Sequence, residues 1–480
     1  MKDLAERALN QAQLLGAHYA DVRIVHRRYE TVSTKDRRVE SLSRDESRGF
    51  GVRVLYQGAW GFASSSKLEP AEIDRVTHLA MTIAKASLLT LREPASLGPV
   101  QAHQGHYVTP IKEDPFAVPI EEKLATLLAA EEAMHAVPGV RTTSGTIGCQ
   151  KEQKLFASTE GAWIDQTIIE TGCGIEAIAV NAHEVQQRSY PNSFGRHQAT
   201  QGYELVRAMD LPGNARRIAE EAVALLTAPQ CPSGVTTLIL DPTQLALQVH
   251  ESIGHAIELD RVFGYEAAYA GTSFLNPGMR DTFTYGSEIV NVTADATLEG
   301  GLGSFGFDDE GVPAQRVPII EAGRFKGFLN CRETAAKLGM ASAGTARADG
   351  WNRIPMCRMT NVNLEPGTWT LEDMIKDTED GLYMMTNKSW SIDDKRLNFQ
   401  FGCQIAWEIK DGQLGRILKN PTYTGITPQF WAGCDAIGDR DHWQIWGTPN
   451  CGKGQPVQVA HVGHGASPAR FRNVQVGVLS

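Results

Sequence analysis

The stretch Leu245-Ala246-Leu247-Gln248-Val249-His250-Glu251-Ser252-Ile253-Gly254-His255-Ala256-Ile257-Glu258 joins an apolar approach to a His–Glu pair and a second histidine, and no proline lies between Thr243 and Asn276. Two neutral imidazoles and a nearby carboxylate are what a hydrolytic zinc site asks of one element. The spacing is unusual. In H-E-x-x-H the histidines are four apart and share a helix face, whereas His250 and His255 are five apart. A five-residue step turns the second side chain about 140° from the first, against about 40° for a four-residue step. Both rings reach one ion only if the helix widens locally or ends between them, and Gly254 is where either is easiest. Six such residues would equally suit a buried helix with two satisfied histidines and a capping glutamate, so the motif needs the rest of the chain.

The chain has 480 residues, 42% hydrophobic and 21% charged, which is the balance of a globular protein with room for more than one core. A net charge of −10 argues against direct nucleic-acid binding. No apolar run approaches the roughly 18 residues of a membrane span. Met1–Ala8 carries charges of both signs where a secretory signal needs an apolar core. The eight cysteines are scattered without a C-x-x-C pair. They read as reduced thiols in a cytoplasmic setting.

Working outward, Leu4, Ala8, Ala12 and Leu15 recur at helical spacing and Gly16 ends the run. Strands are expected over 20–25, 29–42 and 49–56, with Gln57-Gly58 turning back along 59–64. A helix over 70–87 and a polar stretch over 93–118 follow. A second unit then repeats the order: a helix over 121–135, a break at Pro138-Gly139, and strands over 140–149, 154–158, 163–172 and 174–180. This suggests a duplicated helix-plus-strands unit. A helix over 201–227 closes the first half, and Ala228-Pro229-Gln230-Cys231-Pro232-Ser233-Gly234 reads as a boundary. The expected fold class is α+β. It has an N-terminal α+β domain over 1–228 and a mainly β C-terminal domain over 229–480 that carries the metal-site helix near its start. In the latter, strand-like runs fall at 235–240, 288–293, 323–329, 399–409 and 474–479, and short helices at 334–338 and 371–376.

A catalytic zinc usually takes three protein ligands. Composition leaves the third open among Glu266, Cys451 in its glycine-flanked loop, His442, His461 and His464, with Glu258 and Asp260 better suited to supporting the ligands.

Three separated stretches carry a resemblance that spans nearly the whole chain. They are His250–His255 with its extension through Glu258–Glu266 and Tyr269–Ser273; Gly49–Leu55 with Gly58–Ser64; and Asn450–Gln455 with His464–Arg472. Together they resemble the TldD/PmbA family, in its TldD branch, which keeps H-E-x-x-x-H where the PmbA branch has lost it. The resemblance implies a zinc metallopeptidase acting on unfolded peptides or flexible protein segments, with one Zn2+ per chain held by His250, His255 and Cys451. Glu251 is then the general base that accepts the proton of a metal-activated water. Asn450, Lys453 and His464 are candidates to stabilise the oxyanion. The resemblance also implies a dimer, either of identical chains or with a PmbA-type chain lacking the metal motif. The alternative function is a non-catalytic, metal-containing peptide-binding or regulatory protein, such as a modulator of a DNA-associated enzyme. The glutamate beside His250 argues against that, since a purely structural site has no use for a base.

Overall fold

A computed structural model describes residues 1–193, 196–269 and 271–477. The first half is built on one eight-stranded sheet. Its main path runs Ala59–Ser65, Arg38–Tyr56, Tyr19–Lys35, Val140–Ser158, Trp163–Val180 and Gln104–Val108, with Val185–Tyr190 and His197–Ala199 also paired to Trp163–Val180. Helices Lys2–Leu14 and Pro70–Ser87 cover one part of this sheet, and Ile120–His135 with Leu211–Leu225 cover the other. Each helix-plus-hairpin unit thus has a counterpart, and their first strands, Tyr19–Lys35 and Val140–Ser158, lie side by side. At Gln57-Gly58 both residues take positive φ, 50° and 83°, as a tight two-residue hairpin requires.

Val140–Ser158 is one continuous 19-residue strand where two were expected. The polar run at its middle has the composition of a turn, but Glu152 and Lys154 are buried. Arg27 donates to Glu152, and Lys154 stands 2.7 Å from Asp309 of the second half. The helix expected over 201–227 is broken into Glu204–Met209 and Leu211–Leu225, because Asp210 takes φ 42° and its Oδ1 accepts from Gly213 N at 3.2 Å.

The second half is mainly β. Strands Asp380–Ile392, Gly234–Leu240, Ala469–Val476, Thr422–Ile426 and Asn398–Lys410 follow one another, and the first also pairs with the last, closing a ring. Gln413–Leu418 and Cys434–Ile437 add to it. The strand expected over 288–293 is the shorter Val292–Asp295, and that over 323–329 shrinks to Arg324–Phe325. Of the run expected over 474–479, the strand reaches Val476, and residues 478 and 479 lie outside the described residues. Among the described residues no helix is long and apolar enough to cross a membrane.

The helix Pro242–Val249 leaves the end of strand Gly234–Leu240 and enters the core through Leu245, Val249 and Ile253. Its start is capped by Asp241, whose Oδ1 accepts from Thr243 N at 2.9 Å. A second face is polar and wholly buried. Gln244 Nε2 donates to Tyr423 Oη at 2.9 Å, Tyr423 Oη donates to Gln248 Oε1 at 3.0 Å, and Gln248 Nε2 donates to Ser252 Oγ at 3.1 Å. Trp431 Nε1 donates to Ser252 Oγ as well, at 3.0 Å. Residues 244, 248 and 252 are one turn apart, so this ladder fixes the rotation of the helix about its axis.

Candidate metal centre

Beyond Val249 the helix widens. His250–Gly254 form one π-turn, closed by His255 N donating to His250 O at 3.1 Å. The expectation drawn from the five-residue spacing is met by widening rather than by a break. One inserted residue brings both imidazoles to the same side, with ring centroids 4.8 Å apart. The turn is held from outside, as Tyr285 Oη donates to Ser252 O at 2.5 Å. Gly254 is required for a separate reason: a Cβ there would lie 2.1 Å from Met359 Sδ. Gly254→Ala is therefore expected to destabilise the fold by about 1–3 kcal/mol, read as a lowered denaturant midpoint with an unchanged slope.

Cys451 comes from the strand Gln444–Lys453, which pairs with Gln458–Ala466. The glycine-flanked loop expected there is instead a strand with a bulge. Thr448 to Cys451 spans three steps against two from Val462 to Ala460. Its Sγ lies 3.5 Å from His255 Nε2, and the three candidate ligand atoms of His250, His255 and Cys451 all lie within 4.8 Å of one another. A tetrahedral site with imidazole and thiolate ligands has edges of about 3.3–3.6 Å. The His255–Cys451 edge is already that length, and small side-chain rotations close the rest.

Hydrogen bonds determine which ring nitrogens are free. The carbonyl of Val362 can only accept, so His464 Nδ1 donates to it at 3.0 Å; neutral His464 then accepts at Nε2 from His250 Nδ1, 2.7 Å away. His255 Nδ1 donates to Glu258 Oε2 at 3.0 Å. Both candidate ligands are thereby left with Nε2 lone pairs. Burial drives His250 below the usual imidazole range and His255 and His464 well below it, so all three favour the neutral form that binds metal. Burial pushes the Cys451 thiol up, but the Arg358 guanidinium, with Nη2 3.0 Å from Sγ, and His255 together bring it below its ordinary value. Two imidazole nitrogens with fixed tautomers and a thiol inclined to ionise make a donor set that fits zinc.

The other residues weighed from sequence fall elsewhere. His442 is hydrogen-bonded through Nδ1 to Asp439 at 2.7 Å, and His461 through Nδ1 to Glu170 at 2.6 Å. Glu266 is half-buried, outside the one His/Cys/acid cluster found among the described residues. His464 supports His250 from behind and has no exposure, so it faces no substrate. His464→Ala is expected to cost about 10–100-fold in metal affinity, measured by competition against a chelator of known strength. Lys453 is also buried away from the cavity. Its Nζ donates to both oxygens of Asp260 at 2.7 and 2.9 Å and to Cys357 O at 2.7 Å, and lies 3.3 Å from Glu258 Oε2. Asn450 lines the cavity.

Glu251 opens on that same cavity, of about 520 Å³, with His250, His255 and Cys451. Residues of the first half, Asn192 and Arg196, form one wall and Trp390 another. Arg396 Nη1 donates to Glu251 Oε2 at 2.7 Å. Sequence reasoning misses both Arg358 and Arg396, since each lies a hundred residues or more from the motif and belongs to no local pattern.

Family models for the PmbA/TldA metallopeptidase domain 1, central domain and C-terminal domain match residues 20–84, 113–227 and 233–478. The chain belongs to this metallopeptidase family. A metalloprotease of Methanocaldococcus jannaschii is 31% identical over 93% of this chain and 94% of its own length. A zinc metalloprotease TldD homolog of Saccharolobus solfataricus is 25% identical over 98% of both chains. Among solved structures, TldE from Thermococcus kodakarensis superimposes with a TM-score of 0.77 at 17% identity, covering 99% of this chain and 100% of the other. A Thermotoga maritima protein named as a candidate modulator of DNA gyrase gives 0.79 at 18% identity, over 99% of this chain and all of its own. At such identities the two structures speak for the fold alone. Membership in the PmbA/TldD family makes the chain a metallopeptidase, a hydrolase acting on peptide bonds.

Proposed function

We propose that this metallopeptidase uses one zinc ion per chain, held by His250, His255 and Cys451, to cleave unfolded peptides or flexible protein segments, with Glu251 as general base. The observation that carries the reading is the convergence of two Nε2 atoms, one Sγ and the Glu251 carboxylate on one cavity. When bound, zinc supplies Lewis acidity and lowers the pKa of a water molecule. Arg396 engages Oε2 of Glu251 and orients the carboxylate, while Oε1 accepts a proton and later delivers it to the leaving amine. Asn450 is the cavity-lining candidate for a donor to the oxyanion.

Depth supports the substrate class. His250, Glu251, His255 and Cys451 are only 3–6% exposed. A peptide bond within a folded domain does not reach such a site, whereas an extended segment threads to it and can pair its backbone with flanking strands. The non-catalytic alternative calls for a fourth side chain to close the coordination sphere, and the cluster found among the described residues holds three. The test is incubation of the zinc-loaded protein with a permanently unfolded polypeptide and with a compact domain, each with and without chelator. Cleavage of the unfolded chain alone, abolished by chelator and restored by zinc, is the expected result. Equal cleavage of both substrates, or none of either, contradicts the proposal.

A further inference from the structure

A second cavity, of about 270 Å³, lies between the first-half sheet and the second half. Its lysine and arginine side chains are Arg27, Lys154, Arg347 and Arg358, and all but Arg347 are engaged. Arg27 and Lys154 share Glu152 and reach Asp349 and Asp309 respectively, while Arg358 holds Cys451. Arg347 forms no ion pair among the described residues. Its Nη1 donates to the carbonyls of Met359 and His461, at 3.0 and 2.6 Å, and its guanidinium stands over Phe305 at 5.5 Å from the ring centroid. The Nε–Nη2 edge is thereby held in place with no acceptor among the described residues. The carboxylates of the cavity have their own donors. Glu170 accepts from His461 and Gln198, and Asp308 from the backbone N–H groups of Glu310, Val312 and Ala346. Burial, followed by the nearby Arg358, lowers the Arg347 pKa, and Glu170, Asp309 and Glu152 offset only part of that. A desolvated guanidinium without a counter-ion is costly, and a site whose anion arrives with a ligand accounts for it.

We infer that Arg347 receives the C-terminal carboxylate of the peptide substrate, so that cleavage is measured from the C-terminal end of an unfolded chain. The inference rests on the metal cavity being the peptidase centre proposed above. Nε and Nη2 present the fork on which a carboxylate accepts two parallel hydrogen bonds. One unpaired positive charge matches one carboxylate, whereas a phosphate dianion would keep excess negative charge beside Glu152, Asp308 and Asp309. The volume lies below the roughly 300–1,000 Å³ of a site for a drug-sized ligand, which suits the end of a chain rather than a length of it. The way to the metal is marked by shared walls. Tyr29, Gln150 and His461 line both this cavity and a groove of about 200 Å³, and Arg196 and Pro449 line both that groove and the metal cavity. Gln150 stands opposite Tyr29 on the sheet, and its side chain makes no hydrogen bond among the described residues. It offers an amide donor and an amide acceptor to the last peptide groups of a chain lying in the groove.

The test is calorimetric titration of the zinc-loaded full chain with N-acetyl-alanyl-alanine, its C-terminal amide, N-acetyl-glutamyl-alanine amide and inorganic phosphate. Wild type should bind the free acid about 10–100-fold more tightly than its amide, as charge-assisted hydrogen bonds are worth. Arg347→Gln should bind the two equally. Gln150→Ala, which removes no hydrogen bond of the fold, should weaken both and keep the preference. In turnover, unfolded peptides of different sequence and length should be cut at a constant number of residues from the C-terminus, and amidation should lower kcat/KM by about the same factor. Equal binding of acid and amide by wild type overturns the inference. So does a preference that persists in Arg347→Gln, which would put the carboxylate on the zinc. Phosphate or the glutamyl amide binding through Arg347 as tightly as the acid overturns it too, as do cut sites fixed from the N-terminus. An Arg347-dependent preference in a protein that cuts nothing upholds the carboxylate site and sinks the peptidase-centre reading instead.

Discussion

Glu251→Ala is expected to retain one zinc per chain and to lose about 10²–10⁴-fold in turnover of an unfolded substrate. That corresponds to about 3–5 kcal/mol of transition-state stabilisation. The metal should remain because Glu251 is none of the three converging donors, and because its neighbours His250 and His255 are oriented by His464 and Glu258. The complication is Arg396, which would be left beside the site without its carboxylate. Glu251→Gln answers it, since the amide oxygen still accepts from the guanidinium but cannot take up a proton at neutral pH. The two variants should be comparably inactive, and Glu251→Gln should unfold close to the wild-type denaturant concentration. Activity within threefold of wild type in both would remove Glu251 from the mechanism.

The second large effect concerns stability. Lys453 is fully buried and neutralises Asp260 while lying against Glu258, the carboxylate that holds His255. Lys453→Met fills much of the same volume but leaves two buried carboxylates close together, with Arg261 Nε 3.5 Å from Glu258 Oε2. Removing one partner of a buried ion pair typically costs about 3–5 kcal/mol. The expected outcome is a loss of that order in denaturant unfolding, together with weaker zinc binding because His255 loses its orientation. Burial lowers the Lys453 pKa, but Asp260 and Glu258 more than offset this and leave it raised. A raised cation contributes fully below its unfolded value of about 10.4 and loses that contribution as pH climbs through the folded value. The Lys453 contribution should therefore be flat across neutral pH and fall in strong alkali. A loss below 1 kcal/mol in the variant would mean that Asp260 and Glu258 are compensated elsewhere.

What can be read from the chain follows the range of the interaction. That the helix widens or ends between His250 and His255 is legible because the cause is local, a five-residue spacing with a glycine inside it, and the structure shows the widening. The tight turn at Gln57-Gly58 is legible for the same reason. Strand Val140–Ser158 reads as two because the partners of its buried charges, Arg27 and Asp309, lie more than a hundred residues away. Residues 288–293 and 323–329 have β-forming composition, yet pairing partners determine how much of each becomes strand. Inside the site the contrast repeats. Glu258 follows His255 by only three residues and can be weighed as its support. Arg358 and Arg396 reach Cys451 and Glu251 from two separate loops, and no periodicity announces them. His464 is visible as a histidine near a matching stretch, but only three dimensions place it behind His250.

The central claim is that His250, His255 and Cys451 together hold the metal, and zinc K-edge X-ray absorption of the loaded protein tests it most directly. The account predicts one sulfur at about 2.3 Å and two imidazole nitrogens at about 2.0–2.1 Å, with the sulfur scattering lost in Cys451→Ala. A spectrum without sulfur in wild type, or a sulfur signal that survives Cys451→Ala, would contradict it.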